Sequence, residues 1–308
     1  MPVKTLIVIA GPTAIGKTSL SILLAQQFNC SILSADSRQF FKELNIGTAK
    51  PTAQEMQGVP HFFINSHSVT EDYNVGKYEA DAIELLDKLF LKDDVVILVG
   101  GSGLYIDAVC KGFDDLPEAD AVVRNKINTL YETDGIEGLQ NLLKQLDETY
   151  YNQVDLQNPQ RISRALEVCL TTGKAYSSLR EGKTKQRNFN IIKIGLNTSR
   201  EILYKRINNR VDAMMENGFL EEVKQLQQYK HLNSLQTVGY KELFDSLDGK
   251  TELNTAIDLI KQNTRRYAKR QLTWFRRDEE IKWFEPIELQ SIFNYLKSEI
   301  SNFKNSQC

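Results

Sequence analysis

The sequence predicts an α/β protein in which a parallel sheet is built around a phosphate-binding loop and carries a helical insert and a helical C-terminal extension. Three observations predict it. The stretch GPTAIGKT at residues 11–18 fits G-x-x-x-x-G-K-[ST]. It lies between a strand-like run, KTLIVIA, and TSLSILLAQQF, whose apolar residues recur at helical spacing. Further short runs rich in Ile, Leu and Val alternate with helical stretches, the pattern of a doubly wound parallel sheet.

Taken in order, residues 4–10 read as a strand buried on both faces, continuous in apolar residues as parallel core strands are. In the loop that follows, Gly11 and Gly16 let backbone N–H groups turn onto a polyphosphate at a helix N-terminus, with Pro12, Thr13, Ala14 and Ile15 between them. Lys17 adds a point charge, and the Thr18 hydroxyl suits a magnesium ion. Residues 30–36 (CSILSAD), 94–100 (DVVILVG) and 190–197 (NIIKIGLN) read as three more buried strands. Between the second and third, residues 76–92 place Tyr78, Ala82, Leu85, Leu86 and Leu89 on one helical face. Residues 116–160 are polar, helical in pattern and without a strong strand, and after the fourth strand the chain reads as wholly helical. The expected organisation is a core over 1–115 and 156–200, an insert over 116–155 and a helical extension over 201–308.

Composition narrows the class. A chain of 308 residues suits one elaborated domain or two small ones. Its 41% hydrophobic and 25% charged content is ordinary for a globular protein, and no apolar run approaches the ~20 residues of a membrane span. The apolar stretch after Met1 is expected to be a core strand and not a signal peptide. Cys30, Cys110, Cys169 and Cys308 are far apart with no C-x-x-C pair, and the three histidines lack metal spacing, which argues for free thiols in the cytoplasm. A net charge of −2 gives no global attraction to nucleic acid, so any such binding must come from a local patch.

Sites in open α/β sheets lie at the carboxyl ends of the strands. Asp36 ends the second strand, where an Asp ordinarily caps loop amides. The alternatives are a ribose-binding acid, which a G-x-x-x-x-G-K-T loop does not accompany, and a catalytic base facing the loop. The third strand ends in Gly-Gly where many nucleotide hydrolases carry a magnesium-holding Asp, which points away from a mechanical nucleotidase and toward a small-molecule transferase. Those glycines are expected to admit a ligand or a backbone, with Ser102 supplying a hydroxyl. Residues 261–277 carry Lys261, Arg265, Arg266, Lys269, Arg270, Arg276 and Arg277 with no acid, interleaved with Tyr267, Trp274 and Phe275. Such a run is either a solvated helix face or a patch for a phosphate backbone. Helix spacing puts Arg266, Lys269 and Arg270 together and leaves Trp274 partly buried.

The blocks GPTAIGKT, DSRQ, NIGTAKP, GVPH, VGGSGLYI, LPEADAVVR, QRISRALEV, RVDAMMENGFLEEV, TVGYKEL and RRYAKRQLTWFRR together resemble the bacterial tRNA dimethylallyltransferase family, in that family's order, from residue 9 to residue 277. The resemblance implies a phosphate-loop kinase-like core, monomeric behaviour and dependence on Mg2+. It implies transfer of a dimethylallyl group from dimethylallyl diphosphate to the exocyclic amine of the adenosine beside the anticodon of a tRNA anticodon stem-loop. The loop, Gly11 to Thr18, then grips the diphosphate as leaving group, with Arg210 assisting and Thr18 on the metal. Asp36 matches the general base. Ser37, Arg38 and Gln39 match the adenosine-pocket loop, and Ser102 matches a hydroxyl residue near the reacting centre. Arg124 and the segment Gln160, Arg161, Ile162, Ser163 and Arg164 match tRNA contacts, to which the basic run adds Arg266 and Arg270. The chain departs from the family at PHFFIN, where a second histidine and an aspartate are common, and at LDETYY, where Asp-Pro is common. Against this stand an ATP-dependent small-molecule kinase and a non-catalytic tRNA-binding switch.

Overall fold

The computed structural model describes residues 4–114, 116–118, 120–180, 182 and 184–305. Its sheet has six strands, all parallel, in the order β3-β2-β4-β1-β5-β6: β1 (Thr5–Ala10), β2 (Ile32–Ser34), β3 (His61–Phe62), β4 (Val95–Val99), β5 (Asn190–Leu196) and β6 (Lys282–Phe284). The four long apolar runs are the four central strands. The two edge strands, of two and three residues, escape the sequence reading because, unlike the equally short β2, they do not lie in a longer apolar run. β6 also corrects the expectation that the chain is wholly helical after β5.

β1 is buried at every position because helices cover both faces of the sheet. Ile7 and Ile9 pack with α1 (Lys17–Phe28) and α13 (Leu289–Asn305). The alternate residues Leu6, Val8 and Ala10 pack with α3 (Val75–Leu89) and α4 (Gly103–Lys111) on the opposite face. A short α2 (Ala53–Met56) lies in the crossover between β2 and β3.

Two compact units result. Gly112–Lys185 forms one, built from α5 (Ala121–Leu146), α6 (Glu148–Tyr151), α7 (Pro159–Thr172) and α8 (Tyr176–Leu179) around Ile127, Leu139, Leu143, Ile162 and Leu166. The expected insert was 116–155; α7 and α8, drawn into the core by sequence, bury their apolar face inside this helical unit instead. The rest of the chain forms the unit that holds the sheet.

In the sheet unit, α9 (Arg200–Glu216), α10 (Phe219–Gln225), α11 (Tyr240–Leu247) and α12 (Leu253–Phe275) build a third apolar cluster with Phe40, Phe41 and Leu44 from the segment after β2. That cluster seats the loop NIGTAKP. The Glu222 carboxylate accepts the backbone N–H groups of Asn45, Ile46 and Gly47 and the Tyr240 hydroxyl. Among the described residues, no helix is long and apolar enough to cross a membrane. Cys30, Cys110 and Cys169 are buried free thiols; Cys308 lies outside the described residues.

A Cβ on Gly47 would stand 2.3 Å from the Phe219 ring and 2.6 Å from that of Tyr240, both fully buried. Gly47→Ala should therefore lower the unfolding free energy by about 1–3 kcal/mol, the usual cost of overpacking. Thermal denaturation checks this, and an unchanged Tm would mean that the two rings yield.

Candidate active site

The site lies at the carboxyl end of β1, where the loop leaves the sheet. Three of its residues take positive φ: Gly11 (146°), Ala14 (62°) and Gly16 (105°). At Gly11 glycine is required twice over, since a Cβ there would also meet the Leu196 carbonyl of β5 at 2.8 Å. Ala14 adopts the left-handed region without glycine's freedom, a strained conformation of the kind that gathers at ligand-binding loops. Gly16 caps α1 with no side chain, leaving the first-turn N–H groups and the positive end of the helix dipole open to an anion.

Two cations converge there. Lys17 Nζ donates to the carbonyls of Gly11 (2.9 Å) and Pro12 (2.8 Å). Burial pulls its pKa down to about 7, the Asp36 charge opposing and the Arg210 charge adding. Arg210 from α9 reaches the Thr48 carbonyl at 3.5 Å, and burial depresses its pKa too. Two half-buried cations with one nearby carboxylate make a site that favours a polyanion.

Asp36 leaves β2 into a tight turn. Its Oδ1 accepts N–H groups from Arg38 (2.9 Å) and Gln39 (3.4 Å), so the ordinary capping role is real. The carboxylate also lines the cavity beside Lys17. The Ser37 N–H donates to Ser102 Oγ (3.1 Å), whose hydroxyl donates to Ser37 Oγ (3.2 Å) and shares a hydrogen bond with Tyr267 of α12. Burial and the Asp36 charge push the Tyr267 phenol up to about 12, so it stays protonated. Gln39 donates to the carbonyls of Thr48 and Ala49, tying this turn to the NIGTAKP loop.

Together these groups line a cavity of about 480 Å³. One end is the loop with Lys17, Asp36 and Arg210. The cavity is also lined by an apolar wall in which Met214 is half-buried and Ile207, Val211, Phe219 and Ile260 are core residues of α9, α10 and α12. His61 of β3 also lines the cavity; its Nδ1 bonds the Val59 carbonyl at 2.8 Å, leaving a buried Nε2 with no partner. The protein oxygen placed to hold a cation at the loop is the exposed Thr18 hydroxyl, and no three His, Cys, Asp or Glu side chains converge among the described residues. Such a set fits magnesium, which keeps waters and substrate phosphate oxygens beside one or two protein ligands.

The glycines ending β4 admit a backbone, as expected, and a buried side chain as well. A Cβ on Gly100 would lie 2.3 Å from the Ala35 carbonyl, and on Gly101 2.2 Å from Gln271 Nε2. A Cβ on Gly103 would lie 2.3 Å from the Trp274 ring. It is the backbone just after β2 and the side chains of α12 that come close there. Of the basic run, Arg266, Lys269 and Arg270 are exposed on one face of α12 and Trp274 is half-buried, as helix spacing predicts. Two charges are not free as expected: Lys261 pairs with Asp212 at 2.6 Å, and Arg265 donates to Asn208. Thr48 lies in the NIGTAKP block and Tyr267 in the basic run, but nothing in the sequence places them, Gln271 or the apolar wall at this cavity, because they lie 30 to 260 positions from the loop.

The other predicted contacts belong to the helical unit. The Glu167 carboxylate, 7% exposed, binds Arg124 Nε at 2.8 Å and Arg164 Nη1 at 3.3 Å, holding two half-exposed guanidinium groups side by side. Arg161 and Gln160 are exposed and Ser163 is half-buried. Ile162 has no exposed surface and sits in that unit's core, which removes it from any direct contact with a partner.

Residues 39–278 match a model of the IPP transferase family. The chain is 53% identical to a tRNA dimethylallyltransferase of Bacteroides thetaiotaomicron, over 95% of each chain, and 54% identical to one of Christiangramia forsetii, over 96% of this chain and 98% of that one. Among solved structures it is similar to the full-length tRNA isopentenylpyrophosphate transferase of Bacillus halodurans (35% identity, 99% of each chain, TM-score 0.74). It is also similar to a eukaryotic dimethylallyltransferase captured acting on tRNA (29% identity, 93% of this chain and 75% of that one, TM-score 0.78).

An anion that stabilises charged Lys17 raises its pKa, so binding above pH ~7 must take up a proton. The affinity for inorganic diphosphate should therefore fall as pH rises through 7, approaching tenfold per unit, relative to Lys17→Met measured under the same conditions. Calorimetry in buffers of different ionisation enthalpy reads the proton uptake directly. Parallel pH profiles for the two proteins would contradict the depressed lysine.

Proposed function

The chain belongs to the IPP transferase family of enzymes that transfer a prenyl group to tRNA, and from that premise we propose that it moves a dimethylallyl group from dimethylallyl diphosphate to the exocyclic N6 amine of the adenosine adjacent to the anticodon, at tRNA position 37. The observation that carries this reading is the pairing of an anion site with an apolar wall in one cavity. A diphosphate bearing a five-carbon branched chain has that division of character. The transferred phosphoryl group and heterocyclic base of a kinase substrate do not call for such a wall. The basic outer face of α12 has no use in a small-molecule kinase, and the Asp36 carboxylate beside the phosphate loop has none in a passive tRNA binder.

In this reading the adenine N6 lone pair attacks C1 of the dimethylallyl chain. The C1–O bond breaks, and its electron pair leaves on the diphosphate. Attack and departure leave C1 cation-like and the leaving group more anionic, so groups that bind the anion most strongly at that point lower the barrier. Open N–H groups of the loop and the first turn of α1, together with Lys17 and Arg210, do this. Magnesium held by Thr18 and the diphosphate oxygens would add charge neutralisation of the same kind. Asp36 accepts the N6 proton through its carboxylate. The adenine amine is a weak nucleophile because its lone pair is delocalised into the ring, so a placed proton acceptor matters. Ser37, Arg38, Gln39 and Ser102 shape the adenine pocket.

Recognition of the anticodon stem-loop falls to Arg266 and Arg270 on α12 and to Arg124, Gln160, Arg161, Ser163 and Arg164 on the helical unit. A monomer suffices, since both substrates are met by one chain.

Asp36→Ala should slow the chemical step by roughly 10²–10⁴-fold while donor affinity stays within a few-fold, because the phosphate loop is untouched. Single-turnover kinetics on an anticodon stem-loop, with donor binding measured separately, resolves the two. Loss of magnesium–diphosphate binding in this variant would make Asp36 a metal-site residue and end its role as base. A second expectation concerns the patch. Neutralising Arg266 and Arg270 should weaken tRNA binding and flatten its dependence on salt, with donor affinity unchanged. Equal salt slopes for wild type and the double variant would remove α12 from the interface.

A further inference from the structure

Gln271 is 6% exposed and lies on the inner face of α12, more than 250 positions from the loop that it touches. Its Oε1 accepts the Thr13 N–H at 2.9 Å, and its Nε2 donates to the Gly101 carbonyl at 2.8 Å. One side-chain amide thus bridges the phosphate loop to the end of β4, and both of its polar atoms are satisfied there. The contact is close enough that no residue larger than glycine fits at 101 without displacing the amide. A neighbour on the same helix, Tyr267, hydrogen-bonds Ser102 in the next position of the β4 turn. One turn further on, Trp274 lies against Gly103 and donates to Asp107. Three successive inward residues of α12 therefore grip the segment 101–107, and Gln271 alone among them also reaches the loop.

We propose that Gln271 is the positioning residue for the phosphate loop: by holding the Thr13 N–H and the Gly101 carbonyl at fixed separation, it keeps the loop in its anion-binding conformation before the donor arrives. The inference rests on the reading of this loop as the diphosphate site. Its physical basis is preorganisation. The loop contains Ala14 in the left-handed region, a conformation that persists only where neighbours over-determine it. The Gln271 bridge is such a restraint, one residue before the strained position. A loop held ready binds its ligand without the ordering cost that a mobile loop carries. An amide meets both requirements at once because it presents an acceptor and a donor about one atom apart; a carboxylate or a thioether presents at most one of them.

The test uses the full chain with Gln271→Met, which keeps the volume and removes both hydrogen bonds, and Gln271→Glu, which keeps the acceptor for Thr13 and removes the donor to Gly101. Hydrogen exchange at the Thr13 amide needs no ligand. It should be protected in wild type and in Gln271→Glu, and at least tenfold faster in Gln271→Met. Calorimetry with magnesium and inorganic diphosphate should give an affinity about tenfold weaker for Gln271→Met, consistent with one lost buried hydrogen bond. The affinity for an anticodon stem-loop alone should remain within twofold, and the donor KM should rise more than kcat falls. Unchanged Thr13 exchange in Gln271→Met would overturn the clamp. Faster exchange with wild-type diphosphate affinity would overturn its role in binding. Normal exchange differences in a wild-type protein that binds no diphosphate at all would instead refute the assignment of the loop, and with it the purpose given to the clamp.

Discussion

The sheet unit depends on one constraint: the phosphate loop must leave the central strand at the point where its neighbours also end. β1 pairs with β4 on one side and β5 on the other, so its carboxyl end is flanked by two others. Gly11 passes within van der Waals distance of the last residue of β5, Asp36 emerges from β2, and Gly101 follows β4. Parallel strands deliver their last residues to one edge of the sheet, so loop, carboxylate and serine turn meet there although they are separated by 20 to 90 positions in the chain. The cost is close approach. Gly11, Gly100 and Gly101 are glycine because backbone or a buried amide occupies the space that a Cβ would fill.

Burying Lys17 and Arg210 together disfavours their charged forms, and Asp36 offsets this only in part. A cavity left in that condition is unfavourable in itself and favourable for an anion, whose binding restores the full charge on the lysine. In the reaction proposed above, the same arrangement would serve a departing diphosphate, whose negative charge grows as the bond to carbon breaks. Apolar side chains line the same cavity, so interactions at the loop act in a lower effective dielectric than in open water.

α12 joins the two halves of this chemistry because its faces differ. Ala268, Gln271 and Phe275 are buried against the sheet unit, whereas Arg266, Lys269 and Arg270 are exposed. In the helical unit, Glu167 shares its carboxylate between Arg124 and Arg164, which fixes the direction of two guanidinium groups that remain half in solvent. The carboxylate itself is buried, so it is held in place by the two arginines that it orients. The consequence of the arrangement is geometric.

Local chemistry was legible in the sequence. The strand–loop–helix with its glycines, lysine and threonine, the four central strands, the insert as a helical body, and the exposed face of the basic helix all follow from spacing and residue type, because each is decided by neighbours within a few positions. The family followed from ten short blocks in order. What the tertiary structure decided involves residues far apart in the chain: the edge strands β3 and β6, which do not lie in a longer apolar run; the assignment of α7 to the helical unit, settled by which apolar face it meets; and the burial of Ile162 within a segment of otherwise exposed polar residues. The roles of Gln271 and the β4 glycines belong to the same class. Gly101 and Gln271 each look ordinary in sequence, and only their 2.8 Å hydrogen bond makes one explain the other. Periodicity reports which face of an element is buried. It does not report what that face meets, because that is fixed by the packing of elements whose order along the chain differs from their order in space.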